Sequence, residues 1–356
     1  MEIISNVRKL KMKKITQFLL VILIVFGFSG CSLLPSIGRS GSVSGGVLKS
    51  VDQGRSWEFK NKAGEESSIA SLNILSMVIN PNNPDNIFIG TEGKGVVVTD
   101  NGGENWRKAE LSVERVYAIA IADSNIYVGG VSSKQGRIFR SSDNGETWNE
   151  IYVEPSTGTV ITSILVSQND FNVAYAGTSA GMIFKTVDGG ETWSNLYKAK
   201  GPVTEIVFGD RDENDVYSLV FDKEVLVSHD RGVNFESLDK NGNLSNIGSL
   251  SIAVDKKTGS VYIGTKKGMY KTTDKGSSFG DVNILSSSKE FPIRSIAVNP
   301  DNSNNIIYSS QQVIYTSEDG GLSWSTFKFQ SNGYISDIDF DPYGLGIIYA
   351  TIRKSN

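Results

Sequence analysis

Cysteine and histidine, two side chains that often carry chemistry, each occur once in this 356-residue chain, as Cys31 and His229. A thiolate–imidazole pair, or a zinc site built on such ligands, needs several of these groups close together. A single cysteine also excludes an internal disulfide, and no Gly-rich phosphate loop is present. The sequence therefore predicts no cofactor and no metal centre built on His or Cys. Any other chemistry must come from carboxylates, basic side chains or lipid attachment.

Cys31 follows a segment that is typical of exported lipoproteins. Five basic residues between Arg8 and Lys14 precede an apolar run at 15–28 and then Ser29-Gly30. This is the order of a secretory signal peptide. As a helix, the 14 apolar residues would span about 21 Å, less than the ~30 Å hydrocarbon core of a bilayer. Residues 28–31 resemble the bacterial lipobox, so we expect residues 1–30 to be removed and Cys31 to carry lipid.

The predicted mature chain is acidic. Residues 1–30 contain five basic residues and one acidic residue, which leaves 30 Lys and Arg against 38 Asp and Glu, a net charge of −8. This balance argues against nucleic-acid binding. Residues 31–45 are rich in Ser and Gly and predict a flexible tether. We expect an extracytoplasmic protein anchored in the outer membrane or in the outer leaflet of the cytoplasmic membrane.

The rest of the chain contains one short motif seven times. The copies align without gaps: SVDQGRSW (50–57), TDNGGENW (99–106), SSDNGETW (141–148), TVDGGETW (186–193), SHDRGVNF (228–235), TTDKGSSF (272–279) and SEDGGLSW (317–324). All five tryptophans end a copy, and consecutive aromatic ends lie 49, 42, 45, 42, 44 and 45 residues apart. That period is the length of one four-stranded propeller blade.

Each copy predicts a tight turn. Its third residue can accept hydrogen bonds from turn amides, and the series is Asp52, Asn101, Asp143, Asp188, Asp230, Asp274 and Asp319. A glycine two residues later permits positive φ. The terminal aromatic supplies apolar surface between blades, and this series is Trp57, Trp106, Trp148, Trp193, Phe235, Phe279 and Trp324. His229 lies at a variable position of the fifth copy, where we expect a solvated turn side chain.

Short β-rich runs alternate with turn residues between the motifs, which predicts an all-β fold with four strands, A to D, in each blade. Segments 334–342 and 346–351 provide strands A and B of an incomplete blade, and 45–60 provides strands C and D. Together they predict a composite blade that closes the ring without a free sheet edge. Residues 46–356 should therefore form one seven-bladed β-propeller.

The motif resembles the Asp-box, or BNR, repeat of sialidases, sortilin-type receptors, xyloglucanases and photosystem II assembly factors. The resemblance covers residues 46–356 and implies the fold, whereas function differs among these families. Sialidases carry an Arg-Ile-Pro segment before the first repeat, and here 291–294 has the order Phe-Pro-Ile-Arg. Xyloglucanases set their carboxylates in a cleft between two propellers, and this chain builds one. We therefore predict that the protein is not an enzyme.

The photosystem II assembly factors also combine one propeller with export. The resemblance implies a protein-binding scaffold or assembly factor for membrane protein complexes, with a membrane or cell-envelope protein as its partner. The alternative is a carbohydrate-active or glycan-binding propeller, because carboxylate pairs that meet only in space are not visible in one sequence.

Loop charges indicate the face that would bind a partner. In a propeller the B–C and D–A loops share one face, and the A–B loops share the other face with the motif turns. We read the B–C loops as 91–95, 130–137, 178–182, 220–225, 265–269, 309–313 and 351–356. Their basic residues, which we call the basic rim, are Lys94, Lys134, Arg137, Lys223, Lys266, Lys267, Arg353 and Lys354.

These loops carry a net charge of +5, because only Glu92, Asp222 and Glu224 oppose the eight basic residues. The A–B loops carry ten acidic and three basic residues, a net charge of −7. We expect the rim to dock an acidic segment of a membrane protein. Acidic residues of the D–A loops share this face and oppose the rim: Glu65, Glu66, Asp239 and Glu290.

The leader generates the first testable prediction. Mass spectrometry of the membrane-extracted protein should find a mature N-terminus at a diacylated Cys31, because signal order and lipobox agree. Cys31→Ser should leave the precursor unlipidated. Recovery of peptides that contain residue 20 from the mature wild-type protein would contradict the prediction.

Overall fold

The computed structural model describes residues 45–111, 113–242, 244, 247–285 and 292–354. The predicted signal peptide, the lipidation site Cys31, the tether up to residue 44 and the loop residue Glu290 lie outside these residues. Among the residues described, no helix is long and apolar enough to cross a membrane.

Seven antiparallel sheets of four strands follow one another, and we number them as blades 1 to 7 with strands given in the order A to D. Blade 1 contains Ile74–Ile79, Ile87–Thr91, Val96–Thr99 and Arg107–Lys108. Blade 2 contains Arg115–Ala122, Asn125–Ser132, Gln135–Ser141 and Asn149–Val153. Blade 3 contains Ile161–Val166, Ala174–Thr178, Met182–Thr186 and Ser194–Lys198. Blade 4 contains Val203–Phe208, Val216–Val220, Val225–Ser228 and Glu236–Ser237.

The remaining three blades complete the ring. Blade 5 contains Ser249–Asp255, Ser260–Thr265, Met269–Thr272 and Gly280–Val282. Blade 6 contains Ile293–Val298, Ile306–Ser310, Val313–Ser317 and Ser325–Lys328. Blade 7 contains Gly333–Phe340, Ile348–Lys354, Gly46–Ser50 and Glu58–Phe59. A small hairpin, Lys62–Ala63 with Ser67–Ser68, and a 3-10 turn, Ile69–Ser71, connect blade 7 to blade 1.

The apolar core lies between the blades. Seven clusters of buried residues are present in the described chain, and each combines two adjacent blades. Strand B has a strand on each side and a blade against each face, so every residue of Ile87–Thr91 and of Ala174–Thr178 is buried. The outer D strands are short and mostly exposed, which limits pairing of their free edges with other chains.

The ring closes through both ends of the folded chain, which confirms the predicted composite blade. Strand Gly46–Ser50 pairs antiparallel with Ile348–Lys354, and Val47 lies opposite Thr351. Strand Glu58–Phe59 then pairs on the outer side of Gly46–Ser50. This pairing completes the seventh sheet, and the fold is the predicted seven-bladed β-propeller.

The motif turns share one hydrogen-bond pattern. In blade 2, the Ser141 hydroxyl donates to Asp143 Oδ1 at 2.6 Å and accepts the Gly145 N–H at 2.8 Å. Asp143 Oδ1 also accepts the Thr147 N–H at 2.9 Å. Asn101 replaces the aspartate in blade 1, and its Oδ1 accepts the corresponding bonds at 2.8 and 2.9 Å. Each motif therefore clamps strand C to the start of strand D.

These bonds stabilise the charged carboxylates. Donation by neighbouring hydroxyls and backbone amides lowers the pKa to about 2 in four of the turns: Asp143, Asp230, Asp274 and Asp319. Hydrogen bonds to the ionised form are the largest cause of the lowered pKa, and burial opposes them only weakly.

Aromatic and cationic side chains connect each blade to the next. Trp193 of blade 3 lies 6.0 Å from Tyr152 of blade 2, measured between ring centroids. In blade 3, Lys185 Nζ lies 5.1 Å from the Tyr175 ring centroid and donates to the Arg231 carbonyl of blade 4. The motif aromatics therefore pack between blades. A cation in strand C contacts an aromatic ring in strand B of its own blade and bonds to the motif turn of the next blade. Similar cation–ring pairs are Lys49–Tyr349, Arg140–Tyr127 and Lys271–Tyr262.

Ring closure generates the second prediction. Leu48 lies in the closing strand and is 0% exposed, so Leu48→Ala should lower the free energy of unfolding by about 2–5 kcal/mol. Leu345 is 71% exposed, and Leu345→Ala should change it by less than about 0.5 kcal/mol. Urea denaturation followed by fluorescence measures both. Equal effects of the two substitutions would show that the N-terminal strand does not hold the ring closed.

The turn carboxylates generate the third prediction, which concerns pH. Their folded-state pKa of about 2 lies below the unfolded value of ~3.9. Their stabilisation is therefore complete above about pH 4 and is lost as the pH falls towards 2. Between pH 4 and 2, the variant Asp143→Asn/Asp274→Asn should take up as many as about two fewer protons on unfolding than the wild type. The slope of its unfolding free energy against pH should decrease accordingly.

Urea titrations at several pH values measure that slope. Asp212→Asn is the control, because Asp212 is exposed and has no hydrogen-bond partner in the described chain. An unchanged slope in the double variant would exclude the turns as the source of acid sensitivity.

Candidate functional site

The axis of the ring is a channel lined by the A strands. The A strands of neighbouring blades contact each other around the ring. Each A strand begins at the face that carries the B–C and D–A loops. Side chains at the starts of these strands therefore surround the channel mouth on that face.

Three arginines, a tyrosine and a glutamate meet at this mouth, and we call them the mouth cluster: Arg115, Arg294, Arg353, Tyr334 and Glu92. Arg294 Cζ lies 5.1 Å from the centroid of the Tyr334 ring. Tyr334 lies opposite Arg353 in the pairing of strands A and B of blade 7. Arg115 Nε donates to Glu92 Oε1 at 2.8 Å. The cluster therefore combines residues of blades 6, 7, 1 and 2.

Two cations of the mouth cluster, Arg294 and Arg353, form no ion pair in the described chain. A hydrogen bond from Asn73, followed by the Arg115 bond, lowers the pKa of Glu92, and the charge of Arg353 adds to the effect. Within the described residues, Arg294 and Arg353 form no ion pair and the Tyr334 hydroxyl has no hydrogen-bond partner. Two guanidinium groups and one phenol are thus available to a carboxylate ligand.

The eight residues of the predicted basic rim lie partly in strands and partly in turns. Arg137 lies inside strand C of blade 2, and Arg353 and Lys354 lie inside strand B of blade 7, whereas the sequence reading placed all three in loops. The other five lie in B–C turns, as expected: Lys94, Lys134, Lys223, Lys266 and Lys267. All eight nevertheless lie towards the same end of their sheets.

Some rim cations already have partners. Lys266 forms a 2.6 Å ion pair with Asp222, Arg137 pairs with Glu150, and Lys354 donates to the Ser71 carbonyl. The rim residues whose side chains have neither an ion pair nor a hydrogen bond in the described chain are Lys94, Lys134, Lys223, Lys267 and Arg353. The rim available to a partner is therefore smaller than the eight residues of the sequence reading.

Acidic side chains lie deeper in the channel. Glu205 and Asp337 occupy A strands of blades 4 and 7, and Asp339 is exposed further along blade 7. Burial raises the pKa of Glu205 to about 8, and repulsion by Asp337 adds to the effect. Burial also raises the pKa of Asp337, to about 6. The channel is therefore basic at its mouth and acidic inside.

His229 lies in the motif turn and is exposed, as expected, and it also contacts a buried carboxylate. Its Nδ1 lies 2.7 Å from Asp215 Oδ1, and Lys275 Nζ lies 2.9 Å from Asp215 Oδ2. The Asp215 side chain is only 8% exposed, and the His229 side chain is 37% exposed. No group of three or more His, Cys, Asp or Glu side chains that could hold a metal ion occurs among the described residues.

Sequence reasoning missed Arg115, Arg294 and Tyr334 because it counted charges only in loops. All three lie within or at the start of A strands. A signal was present in the sequence: Arg294 interrupts the run PIRSIAV, in which the neighbouring residues suit a buried strand.

The family comparisons agree with this architecture. Residues 223–341 match the family model of sortilin, neurotensin receptor 3, and residues 72–223 match that of the photosynthesis system II assembly factor YCF48. No curated protein sequence matches the chain significantly. The protein is an Asp-box propeller of the BNR type that resembles YCF48 and sortilin.

Solved structures share the fold at low sequence identity. The GH74 xyloglucanase from Xanthomonas campestris superposes with a TM-score of 0.67 at 14% identity, over 80% of this chain and 51% of that enzyme. This chain thus spans about half the length of the xyloglucanase. YCF48 from Cyanidioschyzon merolae gives a TM-score of 0.61 at 16% identity, over 79% of this chain and 96% of that protein. A structure of YCF48 bound to a D1 peptide gives 0.61 at 16% identity, over 80% and 94%.

Proposed function

We propose that this protein is a lipid-anchored, extracytoplasmic scaffold that holds an acidic segment of a membrane protein across the channel mouth. The mouth cluster carries the proposal, because it presents two unpaired guanidinium groups beside a free phenol. Arginine binds carboxylates through two parallel hydrogen bonds, which gives geometric selectivity as well as attraction. The unpaired lysines of the rim surround this centre and steer an acidic segment towards it.

One of the similar structures supports a peptide-binding function, because YCF48 has been solved with a bound D1 peptide. That comparison extends over 80% of this chain and 94% of YCF48. The likeness to the xyloglucanase is one of fold and extends over about half of that enzyme.

The start of the described chain gives the proposed anchor a definite point of attachment. Gly46 lies opposite Ile352, next to the rim residues Arg353 and Lys354. A tether from Cys31 would therefore join the propeller on the face that carries the mouth cluster. In this arrangement a membrane-protein partner and the tether reach the same face.

The fourth prediction tests the mouth cluster with a defined probe. The probe is a fluorescein-labelled synthetic peptide of twelve residues, six of them Asp or Glu, measured by anisotropy at low ionic strength. Arg294→Gln/Arg353→Gln/Lys267→Gln should raise its Kd at least about tenfold, or ~1.4 kcal/mol, because three unpaired cations are lost. Added salt should weaken wild-type binding.

The control removes the same charge from the opposite face. Arg211, Lys256 and Lys257 lie in A–B loops, and their triple Gln variant should bind the peptide like wild type. A peptide with Asn and Gln in place of the acids should not bind. Equal weakening by the two triple variants would reject the mouth cluster as the docking site.

A further inference from the structure

A polar groove lies away from the channel, at the outer seam between blades 2 and 3. One wall is strand D of blade 2, with Asn149 and Glu150, and the other is the motif turn of blade 3, with Glu191. Arg140 of strand C lies at its base. Its volume of about 420 Å³ falls within the roughly 300–1,000 Å³ of small-molecule sites.

Two consecutive glycines allow this groove to form. Gly189 and Gly190 have φ of +74° and +98°, values that favour glycine. A Cβ on Gly189 would lie 2.1 Å from Arg140 Nη1, and a Cβ on Gly190 would lie 2.3 Å from Ile151 Cδ1. Larger residues here would push the turn away from the strand and disrupt the base.

The base of the groove is held in place. Arg140 Nη1 donates to the Gly189 carbonyl at 3.0 Å, and Nη2 donates to Asn125 Oδ1 at 2.8 Å. The guanidinium also lies 5.5 Å from the centroid of the Tyr127 ring. A site that is ordered before binding loses less entropy when a ligand arrives.

The walls present polar groups that have no protein partner. In the described chain, no hydrogen bond engages the Asn149 carboxamide, the Glu191 carboxylate or the Ser142 hydroxyl. Glu150 is different, because it pairs with Arg137. The groove thus offers an amide donor and acceptor, a carboxylate acceptor and a hydroxyl within one cavity.

The charges of the lining disfavour charged ligands of either sign. The two carboxylates repel an anion, and the guanidinium of Arg140 repels a cation. Ile151 is the one large apolar side chain of the lining within the described residues. An apolar ligand would therefore remove water from the polar lining groups without replacing their hydrogen bonds. Neutral ligands with several adjacent hydroxyl groups remain, since carboxylates and amides can engage neighbouring hydroxyls together.

We propose that this groove between blades 2 and 3 binds a neutral carbohydrate, one or two sugar rings in size. Glu191 accepts hydrogen bonds from adjacent sugar hydroxyls, and the Asn149 carboxamide donates to and accepts from their neighbours. The site is separate from the mouth cluster and does not depend on the proposed scaffold function.

The test uses four neutral disaccharides, cellobiose, maltose, lactose and N,N′-diacetylchitobiose, with saturation-transfer NMR and calorimetry on the folded propeller. At least one should bind with a millimolar Kd, and Asn149→Ala/Glu191→Ala should raise that Kd at least about tenfold. A disaccharide that carries a uronic acid should bind more weakly, because the groove holds two carboxylates.

The matched control is Glu146→Ala/Asn195→Ala. Glu146 holds the same motif position in blade 2 as Glu191 in blade 3, Asn195 lies in strand D of blade 3, and neither lines the groove. This control should bind like wild type. The proposal is overturned if none of the four sugars binds up to about 20 mM, or if both double variants bind the sugar equally well.

Discussion

The structure depends on the coverage of each blade by its two neighbours. A single four-stranded sheet has two apolar faces, and here every buried cluster combines residues from two adjacent blades. Units that cannot bury their faces alone gain stability only by stacking. A ring supplies a neighbour on both sides of every blade, provided that it closes. The pairing of Gly46–Ser50 with Ile348–Lys354 provides that closure, and the mouth cluster, drawn from four blades, depends on it.

The motif turns make the two faces of the ring unlike each other. On one face the same clamp recurs around the ring, with the Asp or Asn oxygen bonded to the turn amide, as at Asp143 and Asn101. On the opposite face the loops differ in length. Its D–A connections range from four residues at 199–202 to fourteen at 60–73, which include the small hairpin. Variable loops on a rigid scaffold are where binding residues concentrate, which is consistent with a functional site on that face.

The ring could be predicted from the sequence because each blade contains the same short local motif. Seven motif copies give the number of blades, and the incomplete repeats at the two ends predict their own pairing. The mouth cluster could not be predicted in this way. Arg115 and Arg294 come from different blades, and only the closed ring brings their strands to one channel. The same limit explains the rim, where ion pairs such as Lys266–Asp222 are tertiary contacts that loop charge counts do not include. The contact of His229 with Asp215 could not be predicted for a similar reason, since Asp215 lies in another loop.

The charge pattern along the channel restricts how the proposed partner can bind. Asp337 lies three residues beyond Tyr334 on the same A strand, which corresponds to about 10 Å at ~3.3 Å per residue. Burial and the charge of Asp337 raise the pKa of Glu205, and both effects disfavour an ionised carboxylate in this part of the channel. A carboxylate of the partner would meet the same burial and repulsion if it entered. At the mouth it would instead meet Arg294 and Arg353. We therefore expect the proposed acidic segment to lie across the opening and not to thread through the ring. The outer groove between blades 2 and 3 lies apart from that opening, so the proposed carbohydrate and protein ligands would not compete for one site.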